Sequence, residues 1–355
     1  MGKGSVVRRV IGIDQGDRWS HLCIVDAAGE VIGRERVRTT REGYEKRFAR
    51  EAVKGRIVLE VGPHSPWSSR LLAGLGYEVV VANARRVKLI AKAERKTDRV
   101  DAETLARLGR VDPALLAPIR HGGEAAQRDT ALLRVREGLV RSRTRLIQQA
   151  RGLAKALGER LPASSAPAFP RRVREAGQEA LLPGLDVLIE MVEVLSERIR
   201  RLDREVEQAC QERHPATAQL QQVPGVGPIT ALAYVLKIED PTRFSKSREV
   251  GPFVALAPRE RSSGEQRPEL GIPSRGDELL RRLLVQCAHY ILGPFGPDTE
   301  LRRFGLRMAE RGGKRAKRRA VVAVARKLAV LLHRLWVTGE AYQPLGYGKP
   351  EALAA

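Results

Sequence analysis

Four carboxylates stand where this chain passes from one element to the next. Asp14 closes the apolar run Val10-Ile11-Gly12-Ile13, and Glu60 closes Ile57-Val58-Leu59. Asp98 and Asp101 lie in Arg95-Lys96-Thr97-Asp98-Arg99-Val100-Asp101-Ala102, which reads as a short loop entering a helix. Three residues apart, they project from one side of its first turn. Two strand ends and one helix start, each bringing acid, make an oxygen-lined site for a divalent cation. Mg²⁺ suits so sparse a set, because water and phosphate oxygens complete its shell. Each acid also has an ordinary reading. Asp14 could open a turn, Glu60 could be a solvated strand end, and Asp98 could cap a helix with Asp101 near its positive end. Taken jointly, Asp14, Glu60, Asp98 and Asp101 are the expected metal ligands and catalytic groups.

A second candidate is Ser274, in Gly271-Ile272-Pro273-Ser274-Arg275-Gly276-Asp277. It could cap the following helix, with Asp277 three residues on. It could also be a nucleophile toward a phosphodiester held by the helix dipole and by Arg275, Arg281 or Arg282. On local grounds alone the cap is the simpler reading.

The elements that must position the acids follow from hydrophobic period and turn chemistry. Strands are expected over 6–13, 20–25, 31–37, 56–61 and 77–82. Helices are expected from Thr40, as cap, to about Val53, from about Pro66 to Leu75, over 84–92, and from Asp98 onward. Three strands in a meander, then helix, strand, helix, strand, helix, is the order of the ribonuclease-H-like fold. That α/β domain is expected over 1–124.

Over 125–212 a helical coiled-coil hairpin is expected. Leu132, Val135, Leu139, Leu146 and Leu153 recur at three- and four-residue steps once Ser142 and Gln149 fill the other seam positions, and Leu181, Leu185, Leu188, Val192, Leu195, Ile199, Leu202 and Val206 do so unaided. These are heptad seams. Pro162, Pro167, Pro170 and Pro183 make the stretch between them a loop with poor helices. The hairpin would pair with another copy of the chain or pack within its own. Arg134, Arg136, Arg141, Arg143, Arg145 and Arg151 would let the first helix follow a phosphate backbone.

A mostly helical segment is expected over 213–300, and a basic helical tail over 301–355. Pro224-Gly225-Val226-Gly227-Pro228 resembles a helix-hairpin-helix, in which Gly225 and Gly227 expose N–H groups to phosphate, though a plain glycine-rich connection fits as well. Lys314, Arg315, Lys317, Arg318 and Arg319 read as an electrostatic clamp or a solvated face, the clamp being favoured by the overall charge. The net charge of +22 over 355 residues points to a polyanionic partner, nucleic acid first. No apolar run reaches 18 residues and no signal peptide is visible, so a soluble, cytoplasmic protein with no membrane partner is expected. Cys23, Cys210 and Cys287 form neither a disulfide framework nor a zinc pattern.

Together these pieces resemble the DEDD-type insertion-sequence transposases of the "IS one-ten" family, the bridge-RNA-guided serine recombinases. The likeness is carried by Gly12-Ile13-Asp14, Leu59-Glu60, Lys96-Thr97-Asp98-Arg99-Val100-Asp101-Ala102 and Pro224-Gly225-Val226-Gly227. It continues through Gly276-Asp277 and Leu280-Arg281-Arg282-Leu283-Leu284 into Arg311-Gly312-Gly313-Lys314. The resemblance implies a Holliday-resolvase-like domain, a coiled coil and a C-terminal transposase domain. It implies four acids holding Mg²⁺ and a serine that attacks DNA through a phosphoserine link, in a site completed between protomers of a dimer or tetramer. Donor and target DNA would pair with a guide RNA from the element itself, in a bacterial cytoplasm. One departure matters. The family pattern places its serine three residues before the glycine, where this chain has Pro273, and Ser274 is only two before Gly276. A hydrolytic Holliday-junction-type nuclease and a non-catalytic nucleic-acid-binding protein therefore remain alternatives.

Overall fold

The computed structural model describes residues 9–83, 98–258, 271–273, 276–310 and 312–346, with the side chains of Asp98 and Arg99 outside that description. The helix expected over 84–92, Ser274 and Arg275 also lie outside it. The chain divides into two compact units, residues 1–124 and 125–355.

The first unit is built on five strands: β1 (Arg9–Gln15), β2 (Trp19–Asp26), β3 (Val31–Arg38), β4 (Arg56–Glu60) and β5 (Glu78–Ala82). Their order across the sheet is β3-β2-β1-β4-β5. The first three run antiparallel, and β4 and β5 join β1 in parallel. Central β1 has no polar alternation because Val10 to Ile13 are buried on both faces. Helix α1 (Arg41–Phe48) begins at Thr40, whose side chain accepts from the Gly43 N–H at 3.1 Å. It stops at Phe48 rather than running to about Val53, because Lys54 reaches back to the Phe48 carbonyl at 2.9 Å. Helix α2 (Ser65–Gly74) joins α1 on one face, over Ile11, Ile13, Ile57 and Leu59. Helix α3 (Asp98–Val111) packs on the other, over Val10, Val58 and Val80. This mixed α/β unit is consistent with a ribonuclease-H-like fold.

The second unit is helical. Long α4 (Glu124–Ala156) and α6 (Leu185–Glu212) run antiparallel, with α5 (Phe169–Glu175) between them in sequence. Arg136 pairs with Asp203, and Arg143 donates to the Ser196 hydroxyl at 3.1 Å. Beyond them Ile147, Ala150 and Ala154 meet Ile189 and Val192, and Phe169 and Val173 fill the same core. The proline-rich stretch thus contains a buried helical turn, not only loop.

The seam of α4 is not the expected one. Its buried apolar residues are Leu133, Ile147, Ala150 and Ala154, while Val135 and Leu153 remain 56% and 43% exposed. Arg136 and Arg143 face inward, Leu132 and Leu146 pack partly buried beside the cores, and Val135 and Leu153 are turned away. On α6 the expected positions Leu185, Val192, Ile199 and Val206 are fully buried or nearly so.

The remaining helices are α7 (Ala216–Gln221), α8 (Pro228–Ile238), α9 (Val250–Phe253), α10 (Glu278–Leu292), α11 (Glu300–Ala309) and α12 (Gly313–Thr338). They close around α8, whose Tyr234 hydroxyl donates to the Ala329 carbonyl of α12 at 2.7 Å. No described helix is long and apolar enough to cross a membrane.

Candidate metal and nucleic-acid sites

Three of the four acids are brought toward one end of one face of the sheet. Ile13 pairs with Leu59 across parallel β1 and β4, so Asp14 and Glu60 are the next residues along each strand. Side chains alternate along a strand, so Asp14 shares the face of Gly12, and Glu60 that of Val58. Both are on the α3 side. A Cβ on Gly12 would stand 2.0 Å from the Ala102 carbonyl oxygen, and one on Gly109 would stand 2.2 Å from Val58 Cγ2. Helix α3 therefore runs antiparallel to β1 and β4, its first turn at the strand ends that carry Asp14 and Glu60. Asp101 immediately precedes the Ala102 contact, and Asp98 is the first residue of the helix. Asp14, Glu60 and Asp101 are each half-buried.

The far end of α3 is pinned by arginine. Arg56 donates to the Gly109 carbonyl at 2.6 Å, Arg107 to Gly29 at 2.9 Å and Arg110 to Ala27 at 3.1 Å. Glu103 is held below its ordinary carboxyl range by hydrogen bonds from Arg107 and Arg34, the latter reaching over from β3. Tethers at one end and the glycine contact at the other fix how α3 presents its acids.

Sequence reasoning missed His21. It pairs with Asp14 in the β1–β2 register and so stands beside it on the same face. A period-two reading of β2 could have found it. Among the described residues no three His, Cys, Asp or Glu side chains close into a metal cluster. Of the donors at this end of the sheet Asp14, Glu60 and Asp101 are carboxylates, the chemistry of a hard divalent cation, with the His21 imidazole beside Asp14.

In the second unit, the helix expected to start near Ser274 begins at Glu278, and its cap is Asp277, which accepts from the Leu280 N–H at 3.0 Å. The capping role weighed for Ser274 thus belongs to Asp277. Gly276 adopts φ +99°, and a Cβ there would lie 3.0 Å from that of Ala255, itself at φ +59°. Ala255, a non-glycine residue at positive φ, is a local strain of the kind found at working sites, and it lies beside Gly276.

Comparison with known proteins decides the family. A DEDD-type IS110 transposase family model matches residues 11–157, and one for the IS116/IS110/IS902 transposase family matches 217–300. The transposase of insertion element IS1111A from Coxiella burnetii is 31% identical over 346 residues, covering 94% of this chain and 91% of that protein. The chain belongs to the IS110 family of transposases. The transposase of IS1328 from Yersinia enterocolitica is 29% identical over 288 residues, covering 79% of this chain and 82% of its own. A transposase cuts and rejoins DNA, and the basic residues of this one sort by what they touch.

Arg282 of the transposase is spent internally. It meets Glu137 of α4 at 2.6 Å, with Nε and Nη2 buried and no hydrogen-bond partner among the described residues. Burial raises Glu137, but hydrogen bonds from Arg282 and Arg141 outweigh it and hold the carboxyl below its ordinary range. Arg281 donates to the Pro273 carbonyl at 3.3 Å and so helps hold the segment before Ser274. On α4, Arg136, Arg143 and Arg151 are engaged within the unit, while Arg134 and Arg145 are exposed. Lys314, Arg315, Lys317, Arg318 and Arg319 are all exposed on the first turns of α12. Gly225, at φ +86°, makes the turn into α8, for which Gly227 is the N-cap residue.

Proposed function

We propose that this transposase exchanges DNA strands at insertion-element ends through a Mg²⁺-dependent site and a serine nucleophile, guided by an element-encoded RNA. The observation that carries the metal half is the placement of Asp14 and Glu60 on neighbouring parallel strand ends, facing the α3 start that bears Asp98 and Asp101. These four carboxylates would hold Mg²⁺, which when bound supplies positive charge to the scissile phosphate. Asp14 and Glu60 sit on paired strands and Asp101 on a helix tied down at its far end, so regular elements carry these three donors.

Ser274 is the proposed nucleophile. Its oxygen forms a bond to phosphorus as the bond to one deoxyribose oxygen breaks, and that oxygen leaves as a hydroxyl after gaining a proton. The phosphodiester's energy is kept in the phosphoserine, so a second DNA hydroxyl can reverse the step without a nucleotide cofactor. With Asp277 capping α10, Ser274 is relieved of that structural role, which supports this reading.

Gly225, Gly227, Arg275, Arg281 and the Lys314–Arg319 cluster would hold phosphate backbones of donor DNA, target DNA and guide RNA; Arg282 would act through Glu137 instead. Pairing of two or more copies is supported by exposed apolar residues on the hairpin, Val187, Met191 and Val194 at helical spacing on α6 and Val135 and Leu153 on α4.

The test is incubation of full-length protein with its element DNA, flanking RNA, target and Mg²⁺, followed by denaturing electrophoresis. A covalent protein–DNA adduct that Ser274→Ala abolishes is the expected result. Cleavage without adduct, unchanged in Ser274→Ala, would instead establish the hydrolytic nuclease that Pro273 keeps open. Asp14→Asn and Asp101→Asn should abolish cleavage while DNA binding persists.

A further inference from the structure

A cavity of about 570 Å³ opens in the second unit, between α9, α11, α12 and the residues that follow α12. Its walls carry Arg248, Arg326 and Lys327 against a single acid, Glu300. Neither Arg248 nor Arg326 is in an ion pair among the described residues. Lys327 lies 4.2 Å from the centre of the Phe304 ring. The rest of the lining is apolar or aromatic, with Pro252, Leu331, Pro344 and Tyr342. The wall bearing Tyr342 and Pro344 is anchored: Tyr342 N donates to Gln222 at 2.9 Å, and Glu300 N to the Pro344 carbonyl at 2.9 Å. A preformed pocket of this size, basic with a flat apolar wall, fits one phosphate-bearing aromatic ring system.

We infer that this cavity takes one unstacked nucleotide of a single-stranded segment, its phosphate on Arg248 and Arg326 and its base against Tyr342 and the prolines. A duplex cannot enter so small a recess, whereas a nucleotide swung out of a stack can. The inference rests on the proposed DNA and RNA handling but adds a subsite of its own. Ala257 in its wall is two residues from Ala255, whose Cβ lies 3.0 Å from where a Cβ on Gly276 would stand.

The test is photocrosslinking of the full chain with 5′-phosphorylated dinucleotides carrying one thiobase, in a deoxyribose and a ribose version, with adducts mapped by peptide mass spectrometry. The expected adducts fall on peptides bearing Tyr342 or Pro252 and drop at least tenfold in the Arg248→Ala/Arg326→Ala double variant. Arg204→Ala, which removes an exposed charge from α6, leaves them unchanged. Both arginines are exposed, so folding is preserved, and circular dichroism verifies it. Tyr342→Ala should lose the adduct more than Tyr342→Phe does. Whichever sugar gives the stronger adduct identifies DNA or RNA as the occupant. Adducts elsewhere, or insensitive to the double variant, overturn the pocket. Cleavage of element DNA, scored on the same preparations, separates the ideas: an intact adduct without cleavage counts against the strand-exchange reading alone.

Discussion

Replacing Gly12 by alanine tests the geometry of the acid site most directly. The added methyl would begin 2.0 Å from the Ala102 carbonyl oxygen, 2.6 Å from Ala106 N and 3.1 Å from the Ala102 carbonyl carbon. All three are backbone atoms, so no rotamer relieves the clash. Opening the nearest contact to even 3.0 Å requires α3 to retreat from β1 by about 1 Å, and such overpacking typically costs about 1–3 kcal/mol. The displaced residue adjoins Asp101, and an error of about 1 Å in catalytic geometry can cost about a hundredfold in rate. Gly109→Ala is the control on the same helix. Its new methyl meets Val58 Cγ2, a side-chain atom, at the end of α3 remote from the acids. Urea unfolding followed by tryptophan fluorescence gives both stabilities, and strand cleavage at saturating DNA gives both activities. Gly12→Ala should lose cleavage far beyond its stability deficit, while Gly109→Ala should lose stability and keep most cleavage. Equal activity at equal stability, or a Gly12→Ala protein as stable as the parent, would refute the account of how α3 is seated.

Asp129, nearly buried, accepts from Arg213 at 2.7 Å and faces His214 at 2.8 Å. Burial raises its carboxyl, but the hydrogen bonds from Arg213 and His214 prevail, so its folded pKa is depressed. Its contribution is therefore complete above the unfolded value of about 4 and is lost as pH falls through the lower folded value. Asp129→Asn should destabilise the second unit by about 1–3 kcal/mol at pH 7 and flatten its acid unfolding curve, both read by circular dichroism. Asp277→Ala should cost about 1 kcal/mol through loss of the α10 cap, measured as a shift in urea midpoint. Gly225→Ala combines a left-handed backbone with a Cβ 2.7 Å from the Tyr290 ring, so it should lose more than about 1 kcal/mol, and Tyr290→Ala should recover only the steric part. Removing divalent ions with a chelator should stop cleavage and leave salt-sensitive DNA binding intact, and cleavage that persists would exclude the carboxylate site.

Much of the first unit was legible because strands carry their signal locally. The runs ending in Asp14 and Glu60 are apolar on both faces, as central strands must be, and Thr40 caps α1 as its type and position suggested. What no local pattern carried was the depth at which α3 sits. That depends on Gly12 meeting a carbonyl some ninety residues away, a contact with no periodic trace. His21 escaped notice for a similar reason, since only strand register sets it beside Asp14. In the second unit the positions read on α6 are mostly buried, whereas on α4 Val135 and Leu153 face out while Arg136 and Arg143 face in toward polar partners that leucine spacing does not reveal. Arg282, expected at phosphate, was claimed by Glu137, a pairing between helices far apart in sequence.

Those two inward arginines also act as a ruler. Arg136 and Arg143 are seven residues apart on α4, and their partners Asp203 and Ser196 are seven apart on α6, in opposite sense. A purely apolar hairpin could slide by a turn and still bury much of its surface. Here a slide of one turn would part half-buried Arg136 from Asp203, leaving an uncompensated charge, and would take from Arg143 its hydrogen bond to the Ser196 hydroxyl. The arm's reach is thus set by polar pairs inside it. Its outer apolar residues are left free to vary with whatever they pack against.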